Sequence, residues 1–196
     1  MAELTKKQIA AIKAVGKACC VSPSMYPIVR YVFSDGSNVY GTNAHVLLIA
    51  REIGAPKGAY FPKSAETADT MLFFEDVSID SILTNLHRCE KESTAESETR
   101  AAFYRAKYAF DAGYKEELYQ ITFAADGGHF QREAFFLRSP IKKAVAFVGK
   151  DFKLYQNEPK GMCVFESDDG KRLAIVMEMS RTQNIKILND VDLKGK

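Results

Sequence analysis

Residues 26–53 read YPIVRYVFSDGSNVYGTNAHVLLIAREI, from Tyr26 to Ile53. Val29, Tyr31 and Phe33 alternate with Ile28, Arg30 and Val32, the period of an extended strand. Ser34-Asp35-Gly36-Ser37 follows as a turn, and Asn38 to Gly41 as a second strand. Thr42-Asn43 makes a bend, and His45 to Glu52 a third strand. Alternation interrupted by Asp-Gly is a strong short-range hairpin signal. The stretch therefore predicts a three-stranded meander.

A helix is predicted immediately before it, from Thr5 to Cys20. Thr5 can cap this helix, with Gln8 three residues on as its capping-box partner. Ile9, Ile12, Val15 and Cys19 share one face at helical spacing. Lys6, Lys13 and Lys17 recur seven and four residues apart and form a basic stripe. Val21 to Pro27 contains two prolines and ends the helix.

Composition bounds what such a chain can be. Its 196 residues fit one domain with an insertion or two small ones, and an apolar content of 46% is enough for a real core. A net charge of +2 gives no global field that demands nucleic acid or membrane, so any basic surface must be a local patch. The four cysteines, Cys19, Cys20, Cys89 and Cys163, make no Cys-x-x-Cys pair. The N-terminus is charged and amphipathic, without the apolar run of a signal peptide. A reduced, cytoplasmic setting is expected. No apolar run approaches the ~20 residues needed to span a bilayer, so no membrane partner is expected.

Beyond the meander, Gly58 to Pro62 reads as a strand, Lys63 to Thr70 is ambiguous, Met71 to Val77 reads as a strand and Ser78 to Arg88 as a helix. Glu90 to Arg100 is a polar loop, and Ala101 to Ala112 has helical character with Gly113 as its stop. This helix interleaves Phe103, Tyr104, Tyr108 and Phe110 with Arg105 and Lys107. Single-stranded nucleic-acid binders use that mixture, and so does any amphipathic helix packed on a sheet. Leu118 to Ala124 is a strand, Asp126-Gly127-Gly128 a turn, and Phe130 to Leu137 a strand. Ser139-Pro140 then opens a second helix, capped by serine and ending at Val148 before Gly149. Three more strands are predicted at Phe152 to Gln156, Met162 to Glu166 and Arg172 to Met179, the last two joined by an Asp168-Asp169-Gly170 turn. Arg181 to Lys196 is a tail with a weak apolar pattern.

Nothing in the chain announces an enzyme. Only His45, His87 and His129 are histidines, and no three or four ligands converge at metal-binding spacing. His87 and Cys89 are two apart, which on a helix faces them in different directions. Asp126-Gly127-Gly128 lacks the lysine-serine ending of a phosphate loop. No cofactor, metal or catalytic residue is expected.

The order of elements carries a resemblance. Residues 7–62, KQIAAIKAVGKACCVSPSMYPIVRYVFSDGSNVYGTNAHVLLIAREIGAPKGAYFP, resemble one half-domain of the bacterial DNA sliding clamps, the beta subunit of the replicative polymerase. Thr42-Asn43-Ala44-His45-Val46-Leu47 resembles that family's Thr-Asp-Gly-His-Arg-Leu segment, without its arginine. Residues 139–181, SPIKKAVAFVGKDFKLYQNEPKGMCVFESDDGKRLAIVMEMSR, resemble the closing half of a clamp domain. Val176-Met177-Glu178-Met179 is similar to its Val-Met-Pro-Met ending, with glutamate for proline.

The resemblance implies an α+β, DNA-clamp-like fold: two strand-helix-three-strand units with helices on one face of antiparallel sheets. It implies a single domain over residues 1–180, with half-units 1–62 and 127–180, an elaborated segment 63–126 and a tail 181–196. It further implies DNA-backbone binding by Lys6, Lys13, Lys17, Lys142 and Lys143. Lysines of an amphipathic helix also serve simply as its solvated face. Leu47, Met177 and Met179 match the apolar pocket where clamps dock partner peptides, and they equally suit ordinary strand core. A replication or repair protein is the implied partner. A ring would require a homo-oligomer, because this chain has too few domains to close one alone. The alternatives are an interaction module that keeps the fold without the ring, and a small enzyme built around the middle segment.

Overall fold

A computed structural model describes residues 3–19, 29–69, 87–89, 101–109, 115–125, 130–157, 162–179 and 185–190. Two helices and thirteen strands are described, and every strand pairing among them is antiparallel. The chain is an α+β protein.

Helix α1 spans Lys6–Val15. Its start is the capping box expected from the sequence. The Gln8 backbone N–H donates to Thr5 Oγ1 at 3.3 Å, and the Thr5 N–H donates to Gln8 Oε1 at 2.8 Å. The meander follows as β1 (Val32–Ser34), β2 (Val39–Thr42) and β3 (Val46–Ala50). The first strand is shorter than its alternation predicts, because Val29 and Arg30 lie in a turn instead. The Asp35 carboxylate closes the first hairpin. Its Oδ1 accepts from the N–H groups of Ser37 at 2.8 Å and Asn38 at 2.6 Å. Partial burial pushes the Asp35 pKa up, but these bonds and one from the Asn38 side chain outweigh it and hold the carboxyl below its ordinary value.

Strands β4 (Gly58–Tyr60) and β5 (Thr67–Ala68) extend the meander at its β1 edge. Strand β6 (His87–Cys89) corrects the helix expected over Ser78 to Arg88 at its C-terminal end. Strand β7 (Ala101–Ala109) corrects the helix expected over Ala101 to Ala112. Tyr104, Ala106 and Tyr108 alternate with Arg105 and Lys107, and a nine-residue antiparallel register with β8 (Lys115–Ala125) overrides the helical preference of the alanines. The remainder of those two predicted helices, the predicted strand at Met71 to Val77, the loop at Glu90 to Arg100 and the turn at Asp126 to Gly128 lie outside the described residues.

Strand β9 (Phe130–Leu137) runs straight into helix α2 (Arg138–Val148). The expected serine cap is thus corrected. Leu137 serves as both last strand residue and N-cap, with no side-chain cap bond, and Ser139 and Pro140 sit inside the first turn. Proline is tolerated there because the first-turn N–H groups have no intrahelical partner. Gly149 ends the helix at φ +103°, as expected. Strands β10 (Phe152–Asn157), β11 (Met162–Ser167) and β12 (Arg172–Met177) complete the second three-strand unit. The C-terminal stretch contributes β13 (Ile185–Asp190), paired with β7.

The strands form a nine-stranded sheet, in the order β5-β4-β1-β2-β3-β12-β11-β10-β6, and a four-stranded sheet, β13-β7-β8-β9. The joint in the larger sheet is β3 against β12, with Leu47 opposite Ile175 and Ile49 opposite Leu173. It fuses the N-terminal and C-terminal units into one sheet. Both helices lie on one face of it. Ile12 and Val15 of α1, with Ile141, Ala144, Phe147 and Val148 of α2, share a core with Val46, Leu48, Ala174 and Val176. On the opposite face a second cluster gathers Phe33, Tyr40, Ile49, Val164, Leu173 and Ile175.

Candidate nucleic-acid interface

Helical spacing decides which α2 side chains leave the core. Ile141, Ala144 and Val148 point into the sheet, so Arg138, Lys142 and Ala146, one turn apart, point away. On α1, Ile12 and Val15 are buried; Ala14 lines the side toward α2, as does Lys17 in the turn just after the helix. The two helices do not close on each other. Between them lies a cleft of about 870 Å³. Leu48 of β3 forms its buried floor, and Ala14, Ala146 and Phe147 give its walls apolar surface.

Its rim is cationic. Lys17, Arg138, Lys142, Lys143 and Arg172 all line the cleft, and no carboxylate is among the lining residues. Arg172, first residue of β12, is held in place by Nη1 donating to the Phe147 carbonyl at 2.9 Å. That bond satisfies an orphan carbonyl in the last turn of α2. The arginine thereby ties the end of the helix to the strand beneath it.

Three of the five lysines expected to contact DNA, Lys17, Lys142 and Lys143, meet in this cleft. Lys6 and Lys13 are exposed on α1 and do not line it. Arg138 and Arg172 were not anticipated. Arg138 carried a signal, since it precedes Lys142 by one helical turn once the helix is started at the right residue. Arg172 carried none, because only the packing of α2 on β12 brings it beside the helix.

The expected partner-binding residues lie on the other face. Leu47 is half-buried and packs against the second cluster, directly opposite Ile175. Met177, two residues beyond Ile175, shares that face and is 42% exposed. Met179 has left this strand, and its N–H donates to the Phe135 carbonyl of β9 at 2.8 Å. Leu47 and Met177 are therefore brought to one sheet face, while Met179 is bound to the other sheet.

The Thr42–Leu47 segment shapes the bend between β2 and β3. Thr42 Oγ1 accepts from the Ala44 N–H at 3.0 Å and donates to the Val46 carbonyl at 2.9 Å. Asn43 Oδ1 accepts from the N–H groups of His45 at 3.1 Å and Val46 at 3.0 Å. Ala44 sits at φ +72°, in the left-handed region. Among the described residues no group of three or more histidines, cysteines or carboxylates is arranged to hold a metal, and no helix is long and apolar enough to cross a membrane.

No family model and no curated protein matches the chain. Solved structures do. DNA polymerase III subunit beta from Borrelia burgdorferi superposes with a TM-score of 0.53 at 12% identity, covering 93% of this chain and 65% of that one. The C. crescentus beta sliding clamp gives 0.52 at 9% identity, over 91% of this chain and 65% of that one. The Helicobacter pylori beta clamp, solved with a DNA ligase peptide, gives 0.52 at 11% identity, over 91% of this chain and 64% of that one. The chain thus spans about 65% of the length of these clamps and has the fold of sliding-clamp domains at a distant relationship.

Proposed function

We propose that this chain, built on the sliding-clamp fold, is a non-enzymatic cytoplasmic protein that holds DNA by its sugar-phosphate backbone. The contact is the helix-bearing face. Lys17, Lys142, Lys143, Arg138 and Arg172 supply the phosphate contacts, and Lys6 and Lys13 extend the positive stripe along α1. One observation carries this reading: five cations and no carboxylate line one cleft in a chain whose net charge is only +2. Phosphate contacts carry no sequence information, which suits a protein that must hold any DNA it meets. Residues 1–180 act in this reading as one clamp-like domain, with half-units 1–62 and 127–180 around the segment 63–126.

Duplex affinity measured across a salt series tests it. The logarithm of affinity should fall linearly with the logarithm of salt, by about 0.9 per phosphate contacted. Joint replacement Lys17→Glu, Lys142→Glu and Lys143→Glu should abolish binding at physiological salt. An affinity that ignores both salt and these substitutions would end the proposal.

A second reading concerns the opposite face. Met177 is 42% exposed beside the half-buried Leu47, which leaves two apolar side chains together on this face. Met adapts to varied ligands, and short peptides dock through a few apolar anchors. The H. pylori clamp of the same fold was solved with a ligase peptide. Leu47 and Met177 would anchor a peptide from a replication or repair protein, without Met179, which is bound to the other sheet. Met177→Asp should then weaken partner capture at least about tenfold, in line with loss of a central anchor. Partner capture undiminished by Met177→Asp would assign Met177 to ordinary surface. Light scattering decides the assembly: a ring needs several copies of this chain, and a stable monomer leaves a clamp fold without one.

A further inference from the structure

We infer that the interhelical cleft takes an unpaired base, so that the interface prefers single-stranded DNA to duplex. The inference rests on the DNA-binding reading and adds to it. A backbone contact requires only cations on an open surface. Here the cations rim a concavity of about 870 Å³ whose floor is Leu48 and whose walls include Ala14, Ala146 and Phe147. That volume lies within the roughly 300–1,000 Å³ typical of sites for small organic groups.

The apolar floor gains nothing from phosphate. It gains from a planar, weakly polar group that leaves water. A duplex keeps its bases stacked and paired inside, and presents this floor with charged backbone alone. A single strand presents both components at once, with phosphates for the rim and a base for the floor. Lys17 faces the cleft from the turn just after α1, and Arg138, Lys142 and Lys143 face it from α2, so a strand lying along the cleft meets positive charge on both sides. Arginine adds a planar fork matched to phosphate oxygens. Ala14 and Ala146 both line the cleft, and a larger side chain at either position would narrow it.

The test uses three probes of equal phosphate number: an oligothymidine strand, an abasic strand and a duplex. Anisotropy titrations at one salt concentration should show oligothymidine bound about tenfold more tightly than the abasic strand, the scale of one base held against a protein surface. Ala146→Leu adds bulk to the apolar wall of the cleft without altering charge. Ala146 is exposed and leucine is a good helix former, so the variant should fold, which circular dichroism checks. It should bring the oligothymidine affinity to within about twofold of the abasic one, since the base has lost its place. Equal affinity of the unsubstituted protein for the oligothymidine and abasic strands overturns the inference and leaves backbone binding intact. Failure to bind any of the three removes both. An acidic, aromatic peptide that binds in an Ala146→Leu-sensitive way, while oligothymidine and the abasic strand bind alike, overturns it in favour of a protein occupant.

Discussion

Ala44 holds the left-handed conformation at φ +72°, with its N–H on Thr42 Oγ1 at 3.0 Å. A non-glycine residue pays roughly 1–2 kcal/mol for that region. The bend therefore holds a residue costlier there than glycine would be. Ala44→Gly should raise stability by about 0.5–1 kcal/mol, after the greater freedom of glycine in the unfolded chain is subtracted. Urea denaturation would show a higher midpoint at unchanged slope, and a lower midpoint would mean the bend is not strained. At this scale the sequence was readable. The Thr5–Gln8 capping box, the Asp35 turn and the Thr42-Asn43 bend all close over three or four residues. Their partners are visible in any short window.

Elements were readable where their periodicity was unambiguous. The N-terminal helix and the meander appeared with shifted ends, because strand ends answer to neighbours rather than to their own residues. Ala101–Ala109 failed because alanine, arginine and lysine favour helix while the tyrosines alternate at strand period, and pairing with β8 decided between them. Element docking also depends on Gly41. A Cβ there would lie 2.9 Å from Cys19 Sγ and 3.2 Å from Val15 Cγ1, so the glycine lets α1 sit directly on β2. Gly41→Ala should cost about 1–3 kcal/mol, the usual penalty of overpacking. Cys19→Ala in the same background should recover part of it, because it removes the nearest obstructing atom. A thermal-shift double-mutant cycle reads the coupling, and strict additivity would mean that α1 simply moves aside.

At the scale of the molecule, the two candidate surfaces are separated by the nine-stranded sheet. The cationic cleft and the Leu47–Met177 patch lie on opposite faces, so DNA and a protein partner would not compete for space. That arrangement follows from the β3–β12 joint. Leu48 turns toward the helices, and Leu47 turns away, opposite Ile175. A slip of one residue in this register would exchange the two faces. The DNA-binding prediction belongs here too, because its five cations come from the turn after α1, from α2 and from β12 and act as a set only after the sheet has closed.

The sequence by itself determined the Thr5–Gln8 capping box, the Asp35 turn, the Thr42-Asn43 bend and the helix-plus-three-strands order that points to the clamp fold. Those properties rest on hydrogen bonds and side-chain periodicity between residues a few positions apart. Only the tertiary structure decided that Ala101–Ala109 is a strand, that β3 pairs with β12, and that Lys17, Arg138, Lys142, Lys143 and Arg172 surround one cleft. Each depends on which distant segments pair. Pairing is settled by the burial of whole faces against one another, a quantity that no short stretch of sequence contains.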